Sequence, residues 1–370
     1  MTETFTLPAM SDAGSLDPFL GERPVWNDEV DQLLVCTQVV PVTHDVKTFV
    51  LEPLTPRVFR YDPGQFLTLT FTIGGQDVDR CYTISSPPTR PDLLTITVKR
   101  VPGGSVSNWL HDGLRVGDSL RANGPLGQFS MVQHPAAKYL FLSAGSGVTP
   151  LMSMTRTLYD LGEATDVVFV HCARSPADII FRSELDAIEA TAGDIRVEIL
   201  CEADSVDEQW SGLRGRLSLP VLSQIVPDLH EREIFTCGPA PYMGAVRDIL
   251  DLAGIDQARY HEESFDLAAA AAPPVGTSVP SGAQTYQVVF SRSDRTIECD
   301  ADTNILDAAI RAGVNLPSSC GEGVCGTCKS TLIHGTVDMQ HAGGIRPREI
   351  AQDKILICCS KPLDNLTIDA

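Results

Sequence analysis

The spacing of four late cysteines constrains this chain more than any other feature. Cys320, Cys325 and Cys328 read C-x4-C-x2-C, and after 29 further residues comes Cys358. This is a pattern by which four thiolates hold a 2Fe-2S cluster. Gly321, Gly323 and Gly326 lie between the thiolates and let the backbone wrap closely and turn its N–H groups toward the sulfides. A zinc site or a set of inert buried cysteines is the competing reading, and the unequal first spacing and three interleaved glycines argue against both. A disulfide framework fits poorly, because the eleven cysteines are odd in number and few for 370 residues.

That length exceeds what one core organises, and a chain 43% hydrophobic and 21% charged has enough apolar residues for several. Acidic residues outnumber basic ones 48 to 28, a formal charge of -20. The charge disfavours nonspecific attraction to nucleic acid or an anionic membrane and suits a basic partner face or simple solubility. No apolar run reaches membrane-spanning length, and Met1 to Met10 lacks a basic and an apolar leader region, so a cytoplasmic protein is expected.

Residues 1–30 show no sustained period and read as an N-terminal extension. Over residues 31–133, β-rich runs at Leu33 to Val40, Lys47 to Leu51, Phe66 to Ile73 and Leu93 to Lys99 are separated by Pro-Gly, Gly-Gly and Pro-Pro turns. An antiparallel β-barrel is expected there. Residues 134–267 alternate apolar strands (Tyr139 to Ser143, Val167 to Val170, Ile195 to Leu200, Ile234 to Cys237) with helical stretches. The expected fold is an α/β domain with a parallel sheet. Residues 268–284 are uncharged and rich in Ala, Pro, Gly and Ser, the composition of a tether. Residues 285–370 form the last domain, with two strand-like runs, an amphipathic helix ending at Gly313, and the cysteine cluster.

Two stretches of the barrel carry groups suited to a flavin nucleotide. Arg80 can fork onto a phosphate, Tyr82 can pack on the ribityl chain and ring, and Thr83 can hydrogen-bond near the reactive ring nitrogen. Gly103, Gly104, Ser105, Val106 and Ser107 precede a helical turn whose exposed N–H groups suit a pyrophosphate. Two phosphates to hold favour FAD over FMN. In the α/β domain, Gly145, Ser146, Gly147, Thr149 and Pro150 follow a strand and open a helix, where backbone and dipole both favour a dinucleotide pyrophosphate. A second strand ends in Cys237, Gly238 and Pro239 and runs on to Met243. Arg174 and Arg182 follow the second strand of the domain, where a ribose 2′-phosphate would lie, and the coenzyme is NADH or NADPH, with NADH favoured.

These motifs bring resemblances with them. Pro317 to Cys328 together with Ile355 to Pro362 resemble the plant-type ferredoxin domain, of β-grasp fold, and that resemblance makes Cys358 rather than Cys359 the fourth ligand. The barrel and α/β motifs resemble the ferredoxin-NADP reductase superfamily. In that family the cysteine of Cys237-Gly-Pro lies beside the nicotinamide, and the terminal His261-Glu-Glu-Ser-Phe265 brings an acid and an aromatic, here Glu263 and Phe265, to the flavin. Thr83, Cys237, Glu263 and Phe265 are thus the residues expected to position the reaction.

The order of the three domains, over about residues 31 to 370, resembles reductase components of multicomponent oxygenases. Leu33 to Gln38, Thr43 to Phe49 and Pro24 to Asn27 are most similar to reductases that serve Rieske-type demethylases of quaternary amines such as glycine betaine. The resemblance implies that hydride from NAD(P)H enters at the Cys237 edge of a flavin, which then releases single electrons through the 2Fe-2S cluster to a terminal oxygenase. A diiron oxygenase or a hybrid-cluster protein is the alternative acceptor, and a flavoprotein with a zinc-held docking module the alternative of another class. His44, His171 and His341 sit in no metal-ligand spacing and read as core or surface residues.

Overall fold

The structure is a computed structural model. It describes residues 23–28, 30–162, 164–264, 284–314, 316, 321, 323, 326, 328–341 and 344–370. Chain contacts divide it into two units, residues 1–265 and 266–370.

The first unit begins with an antiparallel sheet. Its strands are β1 (Leu33–Pro41), β2 (Val46–Pro53), β3 (Phe66–Ile73), β4 (Gln76–Thr83), β5 (Leu94–Lys99) and β6 (Ser119–Leu126), with helix α1 (Ser105–Asp112) between the last two. The strands lie in the order β4-β3-β6-β1-β2-β5. A bridge from Ile84 to Ile96 joins the two outer members and closes the barrel. Alternation explains the inward face, since Leu67, Leu69 and Phe71 on β3 are fully buried with Phe49 and Leu51 on β2. Each such side chain contributes roughly 1.5–3 kcal/mol on burial.

Residues 23–28 belong to this packing, although the stretch up to residue 30 reads as an extension in the sequence. Trp26 is buried against Phe59 at 5.5 Å, and its backbone N–H donates to the Val58 carbonyl at 2.8 Å. The Asp28 carboxylate accepts the Gly124 N–H at 2.9 Å. A single bridge and one buried indole leave no periodic signature, so the pattern of the sequence could not disclose them.

The rest of the unit is a six-stranded parallel sheet with β7 (Lys138–Ala144), β8 (Asp166–Ala173), β9 (Ile195–Cys201), β10 (Leu213–Arg214), β11 (Glu233–Gly238) and β12 (Tyr260–Ser264). The order is β10-β9-β8-β7-β11-β12. Helices α2 (Val148–Leu161), α3 (Arg182–Thr191), α4 (Leu219–Ile225) and α5 (Ala240–Ala253) connect the strands. Tyr139, Phe141, Phe169 and Phe235 face α2 and α3, whereas Leu140, Leu142, Val168, Val170 and Ile234 pack with α4 and α5. Both faces of the sheet are covered, as a parallel sheet requires. Gly162, in the left-handed region, ends α2.

The second unit has β13 (Thr285–Phe290), β14 (Arg295–Asp300), helix α6 (Ile305–Arg311), β15 (Lys329–His334), β16 (Val337–Met339), helix α7 (Pro347–Ile350), β17 (Lys354–Leu356), β18 (Ser360–Pro362) and β19 (Leu366–Asp369). A mixed five-stranded sheet runs β14-β13-β19-β15-β17, and β16 pairs with β18. Ile305, Leu306 and Ala309 of α6 join Val288, Phe290, Ile297 and Leu366 in its core. The three architectures expected from the sequence are all present. Among the described residues no helix is long and apolar enough to cross a membrane.

Candidate functional site

The parallel sheet has its topological switch between β7 and β11, because successive strands run outward from β7 on one side and β11 lies on the other. Two helices start at that point. α2 follows Gly147 and α5 follows Pro239, and neither has a side-chain cap on its first turn. Their orphan N–H groups and helix dipoles therefore face the same crevice, an arrangement made for a phosphate-bearing ligand. The Thr149 hydroxyl donates to the Ser146 carbonyl at 3.1 Å and shapes the Gly145–Gly147 turn. Gly147 packs directly on the Cys237 carbonyl, so the loops that end β7 and β11 touch. Pro150 and Met243 are buried in the first turns of α2 and α5.

Register places four side chains in one row near the C-terminal ends of the strands. His171 on β8 pairs with Ser143 on β7, Ser143 with Cys237 on β11, and Cys237 with Glu263 on β12. Ser143 Oγ lies 2.8 Å from His171 Nδ1. Burial and the neighbouring Lys99 charge push His171 down to about 4, so its imidazole is neutral near pH 7. Burial drives the Cys237 thiol far up, and the Glu263 carboxylate adds to it, so Cys237 is a protonated thiol rather than a thiolate nucleophile. Burial likewise raises Glu263 to about 8. His171 Nε2 and Glu263 Oε2 are shut off from water without a hydrogen-bond partner among the described residues. Such orphaned atoms carry a desolvation cost that a polar ligand would relieve.

The barrel presents a matching wall. Arg80, Tyr82 and Thr83 end β4, opposite Leu69, Leu67 and Phe66 of β3. Arg80 donates to the Asp79 carbonyl at 2.7 Å and pairs with no carboxylate among the described residues. Tyr82 stands edge-on to Phe71 at 6.2 Å. Thr83 Oγ1 is a third buried orphan. Gly104 caps α1 without a side-chain bond, leaving the first-turn amides of Ser105, Val106 and Ser107 uncapped, and Ser107 Oγ accepts the Val101 N–H at 3.1 Å to brace the loop. The donor set fits a flavin dinucleotide: a guanidinium and open amides for phosphates, an aromatic ring and a hydroxyl for the isoalloxazine.

Arg174 and Arg182 are not open cations. Arg174 pairs with Asp178 at 2.6 Å and with Asp45 at 3.7 Å. Arg182 makes a two-pronged contact to Glu208 at 2.7 and 2.9 Å and lies over Trp210.

In the second unit, Cys328 and Cys358 bring their sulfurs to 3.1 Å, whereas Cys359 Sγ lies 3.6 Å from the Leu356 carbonyl. Convergence of two buried thiols from segments 30 residues apart suits a shared metal cluster. Cys320, Cys325 and Phe265 lie outside the described residues. When bound, the flavin exchanges electrons in pairs or singly and the cluster singly; the chain's own part is to orient, exclude water and hold protons.

Some relationships escaped the sequence. His261 Nε2 meets Glu233 Oε1 at 2.6 Å, and its ring stacks on His134 at 3.6 Å, at the other ends of β11 and β12. The residues come from three distant segments, and no local spacing announces them. The Ser143–His171 pair is equally non-local.

Comparison with known proteins identifies the three domains. Residues 34–131 match the oxidoreductase FAD-binding domain, 141–248 the oxidoreductase NAD-binding domain, and 288–363 the 2Fe-2S iron-sulfur cluster binding domain. The last match replaces the zinc-module reading. The chain is 44% identical over 349 residues to the glycine betaine monooxygenase reductase subunit of Pseudomonas aeruginosa, covering 91% of this chain and 94% of that one. It is 42% identical over 346 residues to the stachydrine N-demethylase reductase subunit of Rhizobium meliloti, covering 93% and 98%. Phthalate dioxygenase reductase, at 23% identity and a TM-score of 0.55, covers 93% of this chain and 100% of its own, and shares the fold. The chain belongs to the family of FAD- and 2Fe-2S-dependent, NAD-linked electron-transfer oxidoreductases that includes the glycine betaine monooxygenase reductase subunits.

Proposed function

We propose that this protein is the NADH-oxidising reductase of a Rieske-type oxygenase that demethylates glycine betaine or a related quaternary amine. The observation that carries the reading is near-full-length identity of 44% to a glycine betaine monooxygenase reductase subunit and 42% to a stachydrine N-demethylase reductase subunit. In this reading Arg80, Tyr82, Thr83, Gly104, Ser105, Val106 and Ser107 hold FAD. Gly145 to Gly147, Thr149, Pro150, Cys237, Gly238, Pro239 and Met243 hold the nicotinamide nucleotide. Cys237, Thr83, Glu263 and Phe265 position the hydride step, and Cys320, Cys325, Cys328 and Cys358 ligate the cluster. Neutralisation of Arg174 by Asp178 and Asp45, and of Arg182 by Glu208, supports NADH over NADPH, because a 2′-phosphate would meet carboxylates already in place.

Reconstitution tests it. The purified holoprotein is mixed with candidate Rieske oxygenases and glycine betaine or stachydrine, and NADH consumption is followed with formaldehyde release. Substrate-dependent turnover with one of them is expected. Coupling to a diiron oxygenase and to none of the Rieske proteins would overturn the assignment.

A further inference from the structure

One face of α2 grips the loop that follows the β4 wall, and nothing in the sequence motifs accounts for it. Ser153, Arg156 and Asp160 lie at i, i+3 and i+7, one above another on the helix. The Ser153 hydroxyl donates to the Ser86 carbonyl at 2.7 Å. Arg156 donates to the Ser85 carbonyl. Asp160 accepts from Thr89 Oγ1 at 2.5 Å and from the Arg90 guanidinium at 2.9 and 2.7 Å. All of these acceptors and donors lie in the segment immediately after Thr83.

The grip is preset from both sides. Arg156 is only 8% exposed, and Glu184 of α3 closes its other edge with two hydrogen bonds of 2.7 and 2.6 Å. Phe181 lies under the guanidinium at 4.6 Å and holds a left-handed φ of 61°, a conformation bulky residues rarely take. On the barrel side, Tyr61 Oη donates to the same Ser86 carbonyl at 3.0 Å, and Ser85 Oγ is held by Thr95 and Thr97 at 2.8 and 2.9 Å. Glu184 remains 37% exposed, so the pair adds little net stability, but its two parallel hydrogen bonds fix the plane of the Arg156 guanidinium.

We propose that Ser153 and Arg156 are positioning residues that set the separation between the nicotinamide loop and the flavin wall. The proposal rests on the cofactor sites given above. α2 begins directly after Gly147, and a helix is stiff along its axis, so the grip at Ser153 lies roughly 7–8 Å from the loop. Ser85 is two residues beyond Thr83, roughly 7 Å at full extension. One short rigid path therefore joins both halves of the reaction site. Hydride transfer needs its reacting atoms within near-attack range, and displacement by about 1 Å costs on the order of 100-fold in rate.

The test uses full-length holoprotein with Ser153→Ala, Ser153→Thr, Arg156→Met and Arg156→Lys. Anaerobic stopped-flow gives the flavin reduction rate at saturating NADH, the Kd for NADH and the primary isotope effect with 4-deuterated NADH. Hydrogen exchange of residues 84–90 and melting temperature are read on the same samples. Ser153→Ala and Arg156→Met are expected to slow flavin reduction about 10- to 100-fold, with Kd moving less than about two-fold, a larger isotope effect and faster exchange at 84–90. Ser153→Thr and Arg156→Lys should recover part of the rate. Lower melting temperature with unchanged reduction rate and isotope effect would reduce the grip to a structural brace and overturn the proposal. Ser153→Ala removes a single hydroxyl and decides the matter if Arg156→Met does not fold. Wild-type protein whose flavin is not reduced by NADH would overturn the cofactor reading itself, which separates the two failures.

Discussion

A side chain on Gly147 would collide with the backbone of Cys237: a Cβ there would stand 2.2 Å from the Cys237 carbonyl oxygen and 2.5 Å from the Gly238 nitrogen. Its backbone angles are ordinary helical ones, so space rather than conformation demands glycine. Gly145 is the opposite case, with φ of 52° and nothing within 4 Å of a built Cβ.

The two glycines should therefore respond differently. Gly147→Ala is expected to cost about 3 kcal/mol, since the obstacle is backbone of a central strand end, and to weaken NADH binding at least ten-fold. Gly145→Ala should cost about 1–2 kcal/mol for the left-handed backbone with a smaller effect on binding. Melting curves and NADH titrations of the two variants check this, and equal losses would contradict it.

Cys358 and Cys359 should separate cleanly. Cys328 Sγ lies 3.1 Å from Cys358, while Cys359 Sγ is directed at the Leu356 carbonyl and sits where a Cβ on Gly323 would be only 2.6 Å away. Cys358→Ser is expected to lose most of its iron and its paramagnetic signal on reduction, and Cys359→Ser to keep both. NADH should still reduce the flavin in each. Iron analysis and electron paramagnetic resonance decide between them.

Much of this was legible because the informative residues are close in sequence. The C-x4-C-x2-C run, the Gly145–Gly147 turn and Cys237-Gly-Pro each fit on one loop, where spacing and chemistry coincide. Strand periodicity exposed β3 end to end, from Phe66 to Ile73. What stayed hidden depends on register between distant strands. The row His171, Ser143, Cys237 and Glu263 exists only once β8, β7, β11 and β12 are paired, and His171 read as an ordinary core or surface residue. Likewise, Ser153 and Arg156 look like unremarkable polar interruptions of a helix until Ser85 and Ser86 are set against them.

Coenzyme choice should respond to the acids around Arg174. Asp178 holds its guanidinium at 2.6 Å, and against the upward push of burial the Ser175 hydroxyl and then Arg174 keep the Asp178 carboxyl below its usual range. Asp178→Asn, alone and with Asp45→Asn, removes negative charge from around Arg174, where the proposed reading puts a 2′-phosphate. kcat/KM for NADPH is expected to rise about ten-fold, equivalent to about 1.4 kcal/mol, with little change for NADH. The gain should shrink as salt is added. No change with NADPH would mean that the adenosine ribose binds elsewhere.

The polar row also predicts two stability trends of opposite sign. His171 ionises near 6.5 in an unfolded chain but only at about 4 when folded. Its contribution is intact above pH 6.5 and is lost as pH falls from 6.5 toward 4, because only the unfolded state takes the proton. The gap of about 2.5 corresponds to about 3 kcal/mol at 1.36 kcal/mol each. Glu263 goes the other way. Its folded value of about 8 lies above the ordinary 4.5, so its contribution is complete below pH 4.5 and is lost as pH rises toward 8. Between pH 4.5 and 6.5 the two slopes oppose and partly cancel in the wild type, and above 6.5 only the Glu263 loss remains, so a single profile blurs the acid side. His171→Gln should remove the acid-side loss and Glu263→Gln the alkaline-side loss. Urea unfolding midpoints of the full chain, taken every half pH unit, check this. Difference curves against wild type should slope in opposite directions, and parallel curves would mean that neither group is buried in the form assigned to it.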